Sequence, residues 1–138
     1  MTAKEYLNQA YHIDHRIESK LSQIEALKSL ATRVTSVFSD MPHSSSPDNQ
    51  RLQKTIADIV DLENEVSTDI ERLVNLKREI NSAINSVENP EHRTILEMRY
   101  LSFQTWEQIA TKLDCDVRHV YRLHGQTLVK IKKYLECQ

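Results

Sequence analysis

The sequence predicts an all-α protein, a long antiparallel helical hairpin of the coiled-coil type followed by a compact C-terminal group of short helices. Three observations carry that prediction. The 138 residues contain one Gly, three Pro and 6% aromatics, too few turn formers and strand formers for a many-stranded sheet. Two long segments repeat apolar residues every seventh position. From Asn89 onward the spacing shortens, with helix-cap signatures at Asn89 and Thr105.

The first long segment, Thr2 to Phe38, carries Ala10, Ile17, Ile24, Ala31 and Phe38 in one row and Tyr6, Ile13, Leu27 and Val34 in the other. The stretch from Ser39 to Asn49 holds Met41-Pro42, three consecutive serines and Pro47, which break helix and compete for backbone hydrogen bonds. A loop over 39–50 follows from it. From Leu52 a second segment sets Leu52, Ile59, Val66, Leu73, Ile80 and Val87 in one row and Ile56, Ile70 and Ile84 in the other. At about 1.5 Å per residue each helix is roughly 55–60 Å long, and a sustained 3.5-residue period predicts lengthwise, left-handed packing.

Residues beside these rows (Leu7, Leu21, Leu30 and Val37 on the first helix, Val60, Leu62, Val74 and Leu76 on the second) widen each apolar stripe beyond what two helices cover. Either a second copy of the hairpin or the C-terminal domain has to cover the excess, and stripes this wide favour a homo-oligomer, a dimer or higher. Three seam positions are polar: Lys20, Glu63 and Lys77. With Phe38 near Leu52, antiparallel pairing sets Lys20 opposite roughly Ile70, about two turns from Glu63. The long stems are then expected to lie along the seam and lift the charges to water. The alternative is that the charges fix register and oligomer state.

In the C-terminal part, Asn89-Pro90-Glu91 reads as a helix start with cap, first-position proline and first-turn acid. Ile95, Leu96, Met98 and Tyr100 carry the helix to a turn at Ser102-Phe103-Gln104. Thr105-Trp106-Glu107-Gln108 has capping-box spacing, and Ile109, Ala110 and Leu113 complete a short apolar face. Asp114-Cys115-Asp116 turns the chain into a last helix, Val117 to Leu135, with Val120, Leu123, Leu128, Ile131 and Leu135 on its inner side. Two short helices joined by about three residues, with a small residue at the crossing, form a helix-turn-helix. At Asp114 that turn needs an unusual φ, which Gly takes most easily and Asp tolerates. The domains expected are therefore 1–88, a hairpin for oligomerisation, and 89–138, the helix-turn-helix.

Charge separates along the same line. Residues 1–90 hold ten basic and fourteen acidic side chains, residues 91–138 eight and six, and between 117 and 135 there are five basic residues and no acid. Such a local concentration suits a helix facing phosphates, and Arg118, His119, Arg122, Gln126 and Val129 share the arc opposite the core positions. Arg118 and Arg122 are candidate guanine readers. Lys130, Lys132 and Lys133 are candidate contacts to the DNA backbone, as are Thr105, Lys112 and Gln126.

The pattern Ile95-Leu96-x-x-Arg99-Tyr100, Thr105-Trp106-x-x-Ile109-Ala110-x-x-Leu113, Val120-x-x-Leu123-His124 and Leu128-x-x-Ile131 resembles region 4 of bacterial sigma factors over about 45 residues. With a long helical N-terminal part, the whole is similar to the small sigma-region-4-like regulators of phages and prophages of Gram-positive bacteria. Asp114 stands where that family's turn prefers Gly. The resemblance implies binding to double-stranded DNA, control of transcription, contact with RNA polymerase, and base reading from the places held here by Val117, Arg118, Tyr121 and Arg122. A phage DNA-packaging (terminase) small subunit and a helical interaction scaffold that does not read DNA are the alternative readings.

Other chemistry is not expected. One glycine, Gly125, cannot build a phosphate-cradling loop; its mid-helix place suggests close approach to another backbone. His12-x-x-His15-x-x-Glu18 has no fourth metal ligand, and Cys115, near His119 and His124, sits at an apolar turn position as a core thiol. The acidic cluster Asp58, Asp61, Glu63, Glu65, Asp69 and Glu71 lacks the paired motifs of magnesium-dependent hydrolases, while Trp106 and Tyr100 read as core. No catalytic residue, metal or cofactor is assigned, so the protein is not expected to be an enzyme. Two cysteines, no apolar run of about 18 residues and no apolar stretch behind a basic start imply reduced thiols and a cytoplasmic protein.

Overall fold

The computed structural model describes residues 1–39 and 47–138, with side chains described over 1–33 and 49–138. Five α-helices account for nearly all of it: α1 (Ala3–Ser39), α2 (Pro47–Asn85), α3 (Pro90–Leu96), α4 (Trp106–Lys112) and α5 (Val117–Glu136), with a π-helical turn at Glu97–Leu101 continuing α3. No strand occurs among the described residues, so the chain is all-α. Positions 40–46 of the expected loop, and the side chains of Val34, Val37 and Phe38, lie outside the described residues. The flanks of that loop are helical: Ser39 closes α1, and 47–50 form the first turn of α2. Proline is at home there because the first helical N–H has no partner to lose. Among the described residues no helix is long and apolar enough to cross a membrane.

The chain divides into two compact units, Met1–Asp14 with Arg72–Gln138, and His15–Glu71. In the second unit Ile17, Ile24, Ile59 and Val66 are buried, as their sevenfold rows require. The second row on α2 differs from expectation at two of its three members, Ile84 alone being buried, at 0% exposed. Ile56 and Ile70 are 49% and 45% exposed, whereas Leu62 is half-buried and Asp69 buried. Burial therefore follows the positions 55, 62 and 69, three residues after the Leu52 row and not four. Both offsets satisfy a seven-residue repeat; one carries Ile56 and Ile70, the other Thr55, Leu62 and Asp69.

Asp69 is buried because Lys20 reaches it. Lys20 Nζ lies 2.7 Å from Asp69 Oδ2 and 3.6 Å from Glu65 Oε2, which sets Lys20 one residue from the expected Ile70 and away from Glu63. The ammonium does not rise to water along its stem: its side chain is 15% exposed and its partner's 6%. An ion pair out of water gains Coulomb energy that falls steeply with misalignment, so it tolerates little axial slip of α1 against α2. Glu63 instead lies 3.8 Å from Lys28 on the surface.

The first unit has a larger core. Ala3, Leu7 and Ala10 of α1, Ile80, Ala83 and Ile84 of α2, and Val87 join Leu96, Tyr100 and Ile131 in one cluster. Leu7, read from the sequence as lying beside the seam, is 0% exposed. Part of the excess apolar stripe is thus covered by the chain's own C-terminal helices, while Leu21, Leu30, Val60 and Val74 stay 43–50% exposed. Lys77 also leaves the seam, its Nζ 4.8 Å from the centre of the Phe103 ring, in a cation–π contact.

Replacing one member of a buried ion pair strands the other. Lys20→Met should lower the unfolding free energy by about 3–5 kcal/mol in denaturant titration. Lys20→Met with Asp69→Leu, which removes both charges, should restore most of it. Equal losses in the two variants would show that the pair does not hold the seam.

Candidate nucleic-acid interface

Local rules place α4 and α5. Thr105 Oγ1 accepts from the Gln108 N–H at 3.1 Å while Gln108 Oε1 accepts from the Thr105 N–H at 2.9 Å, the reciprocal capping box expected of that spacing. At the other end Asp114 adopts φ 54°. Its N–H donates to the Thr111 carbonyl at 3.2 Å, and the Cys115 N–H to the Ala110 carbonyl at 3.0 Å. These are the two bonds of a Schellman ending, which needs a left-handed residue at this point, so Asp114 takes the φ anticipated for it. Two residues later Asp116 Oδ1 accepts from the Arg118 N–H at 3.0 Å and starts α5.

Ile95, Ile109, Ala110, Val120 and Leu123 bury one another between α3, α4 and α5, with Met98, Trp106, Leu113, Cys115 and Val117 around them. Val117 is therefore only partly available, its side chain leaning on this core. Arg118, Tyr121, Arg122, Gln126, Lys130, Lys132 and Lys133 are exposed along α5, as are Thr105 and Lys112 at the two ends of α4; His119 is half-buried. The turn-to-helix geometry thus brings the predicted base-facing residues onto the first two turns of one helix. Gly125 lies on the same exposed face, and a Cβ there would meet nothing within 4 Å. The close approach suggested by this glycine has no counterpart among the described residues.

Two arrangements were not legible in the sequence. Arg122 Nη2 lies 2.6 Å from His119 Nδ1, and His119 Nε2 lies 3.8 Å from Glu91 Oε1 on α3. An acid in the first turn of α3 is thereby linked to Arg122, the second arginine of α5. Behind the face, Tyr100 and His124 share a buried hydrogen bond of 2.5 Å. Burial, reinforced by the Lys4 and Arg99 charges, pushes His124 down to about 4, and burial pushes Tyr100 up to about 12 against the opposing pull of Arg99. Both groups are neutral near pH 7, and the hydrogen bond joins the phenol to Nε2. Trp106 packs edge-on against His124 (4.5 Å) and Tyr121 (5.6 Å), and Arg99 lies over its ring at 4.3 Å while donating to the Gln104 carbonyl at 2.9 Å. Tyr121 is thus oriented from below by Trp106. Farther along, Lys130 Nζ donates to His92 Nδ1 at 3.1 Å; burial and this ammonium hold His92 below its ordinary range.

Elsewhere His15 Nδ1 lies 3.6 Å from Glu18 Oε2, and no group of three or more potential metal ligands occurs among the described residues. Cys115 is half-buried and Cys137 exposed, both as free thiols.

Residues 48–132, more than half of the chain, match the model of a family described as "Protein of unknown function (DUF1492)", and the chain belongs to that family. The match begins at the start of α2 and runs through most of α5. No curated protein matches the chain, and no solved structure does.

A histidine whose pKa is lowered by folding binds its proton more readily when unfolded. Its contribution to stability is complete above about pH 6.5 and is lost as the pH falls from there toward 4. Stability of wild-type protein should decline over that window by on the order of 3 kcal/mol from this group. His124→Gln should flatten the decline, and the imidazole NMR signals of His124 should stay those of the neutral ring down to about pH 4. A ring titrating near 6.5 would remove this account. Separately, Gly125→Ala fills open space on a helix and should raise stability by up to about 1 kcal/mol in thermal unfolding.

Proposed function

We propose that the protein is a sequence-specific DNA-binding regulator of transcription, with a helix-turn-helix of the sigma region 4 type, working in the cytoplasm as a homo-oligomer and of phage or prophage origin. The observation that carries the reading is the α4–turn–α5 geometry. A left-handed Asp114 closes α4, and Asp116 starts a helix whose exposed first turns present Arg118 and Arg122 with no acidic side chain before Glu136. A helix of this kind enters the major groove by its N-terminal turns. Arginine there pairs with guanine in a bidentate manner, while Lys130, Lys132 and Lys133 supply phosphate attraction that falls with salt.

One such helix contacts only a few base pairs, too few to single out a site in a genome. Coupling two helices through an oligomer doubles the readout and demands two half-sites at fixed spacing. Contact with RNA polymerase, implied by the resemblance to region 4, makes the regulator an activator. The reading is of a binding protein and not of an enzyme.

Arg122→Ala should weaken binding to a selected duplex by about 1–3 kcal/mol and relax preference at one base pair. Lys132→Ala should weaken all duplexes alike and reduce the salt slope by about one. Fluorescence anisotropy across a salt series on cognate and scrambled DNA separates the two. Equal losses for Arg122→Ala on both duplexes would deny it a base-reading role, and absence of salt-dependent duplex binding would favour the scaffold reading. Repression instead of stimulation in transcription with the host polymerase would reverse the sign.

A further inference from the structure

The surface left over on α2 has an order of its own. Ile56, Val60, Ile70 and Val74 are 49%, 50%, 45% and 43% exposed, and with Glu63 and Ser67 they follow spacings of four, three, four, three and four residues. That is the spacing of a coiled-coil seam, running along a second face of the helix beside the seam that meets α1. The Lys28–Glu63 ion pair of 3.8 Å places α1's Lys28 at the border of this face, and Leu21, one heptad earlier and 49% exposed, lies in the same row.

The stripe is a palindrome about position 65. Turned end for end, it sets Ile56 against Val74, Val60 against Ile70, and Glu63 against Ser67. In antiparallel coiled coils the a positions of one helix meet the d positions of the other, and here each apolar residue finds an apolar one of similar size. An in-register parallel copy would instead oppose Glu63 to Glu63, like charges in contact. The antiparallel copy gives Glu63 a hydroxyl donor, Ser67. A two-fold axis makes such a surface complementary to itself and closes the assembly at two chains.

We infer that the protein dimerises through α2, antiparallel to the α2 of a second copy, with Val60 of each chain against Ile70 of the other. The inference rests on the homo-oligomer part of the proposed function and adds the face, the orientation and the register. DNA contact and self-association use different helices, so a failed α2 seam and a failed duplex contact are read out separately.

Disulfide capture tests it, in full-length protein with Cys115→Ala and Cys137→Ser and with circular dichroism unchanged. A chain carrying both Val60→Cys and Ile70→Cys should be trapped as a covalent dimer on mild oxidation at micromolar concentration. Chains with either cysteine alone should not, since ten residues at 1.5 Å would separate each thiol from its counterpart by about 15 Å. Ile70→Lys should raise the dimer dissociation constant at least tenfold in sedimentation, and Val60→Glu in the same chain should restore part of the loss by placing opposite charges face to face. Efficient capture of Val60→Cys alone would establish a parallel seam and overturn the proposal. A dimer by light scattering with no capture in any variant would place the interface on another face, leaving the homo-oligomer reading intact. A monomer at all concentrations would remove both.

Discussion

The C-terminal helices depend on keeping a polar pair uncharged in the middle of an apolar core. Tyr100 is buried with Leu96, Ile131 and Val87, and His124 is buried beneath Trp106, so a charge on either would lack solvation at a cost of several kcal/mol. Their mutual hydrogen bond answers the polar requirement of both at once. It joins the π-helical turn after α3 to the middle of α5, and Trp106, resting on His124, passes that constraint to Tyr121 on the outer face. The exposed side of α5 is therefore aimed by what happens on its buried side.

Polar groups at the seam of the hairpin act in a comparable way: Lys20 and Asp69 pair at 2.7 Å. Leucines at both positions would pack with more freedom of register, because neighbouring apolar rungs differ little in energy. A charge pair has one good alignment and many bad ones, so it contributes specificity even where its net stability is small.

Much of this architecture was legible from residue types. Sevenfold rows gave the two long helices, Thr105 and Gln108 the start of α4, Asp114 the turn, and the assumption of Phe38 near Leu52 put Lys20 within a residue of its partner. What could not be read has a physical reason in each case. Choosing between the Ile56/Ile70 row and the Leu62/Asp69 row turns on an offset of one residue, and hydrophobicity favours the wrong one because Asp69 enters the seam only with Lys20 bound to it. The π-helical turn, closed by the Ser102 N–H on the Glu97 carbonyl at 3.0 Å, is announced by no local propensity. Of the candidate interface, the basic face was visible in the spacing; the Glu91–His119–Arg122 linkage was not, because it joins residues 28 and 31 positions apart.

The first unit draws Ala3 and Leu7 into the same core as Ile131, residues separated by almost the entire chain. Such a core is not completed by α1 and α2 alone, since Ile131 of α5 joins Leu7, Ala10, Ile80 and Ile84 in it. Ordering so distant a set of contacts makes closure a late step whose rate is set by chain topology and not by helix formation. Shortening the chain from either end consequently opens the same core, and a tag fused to Met1 sits beside the end of α5 and not at a remote pole of the molecule.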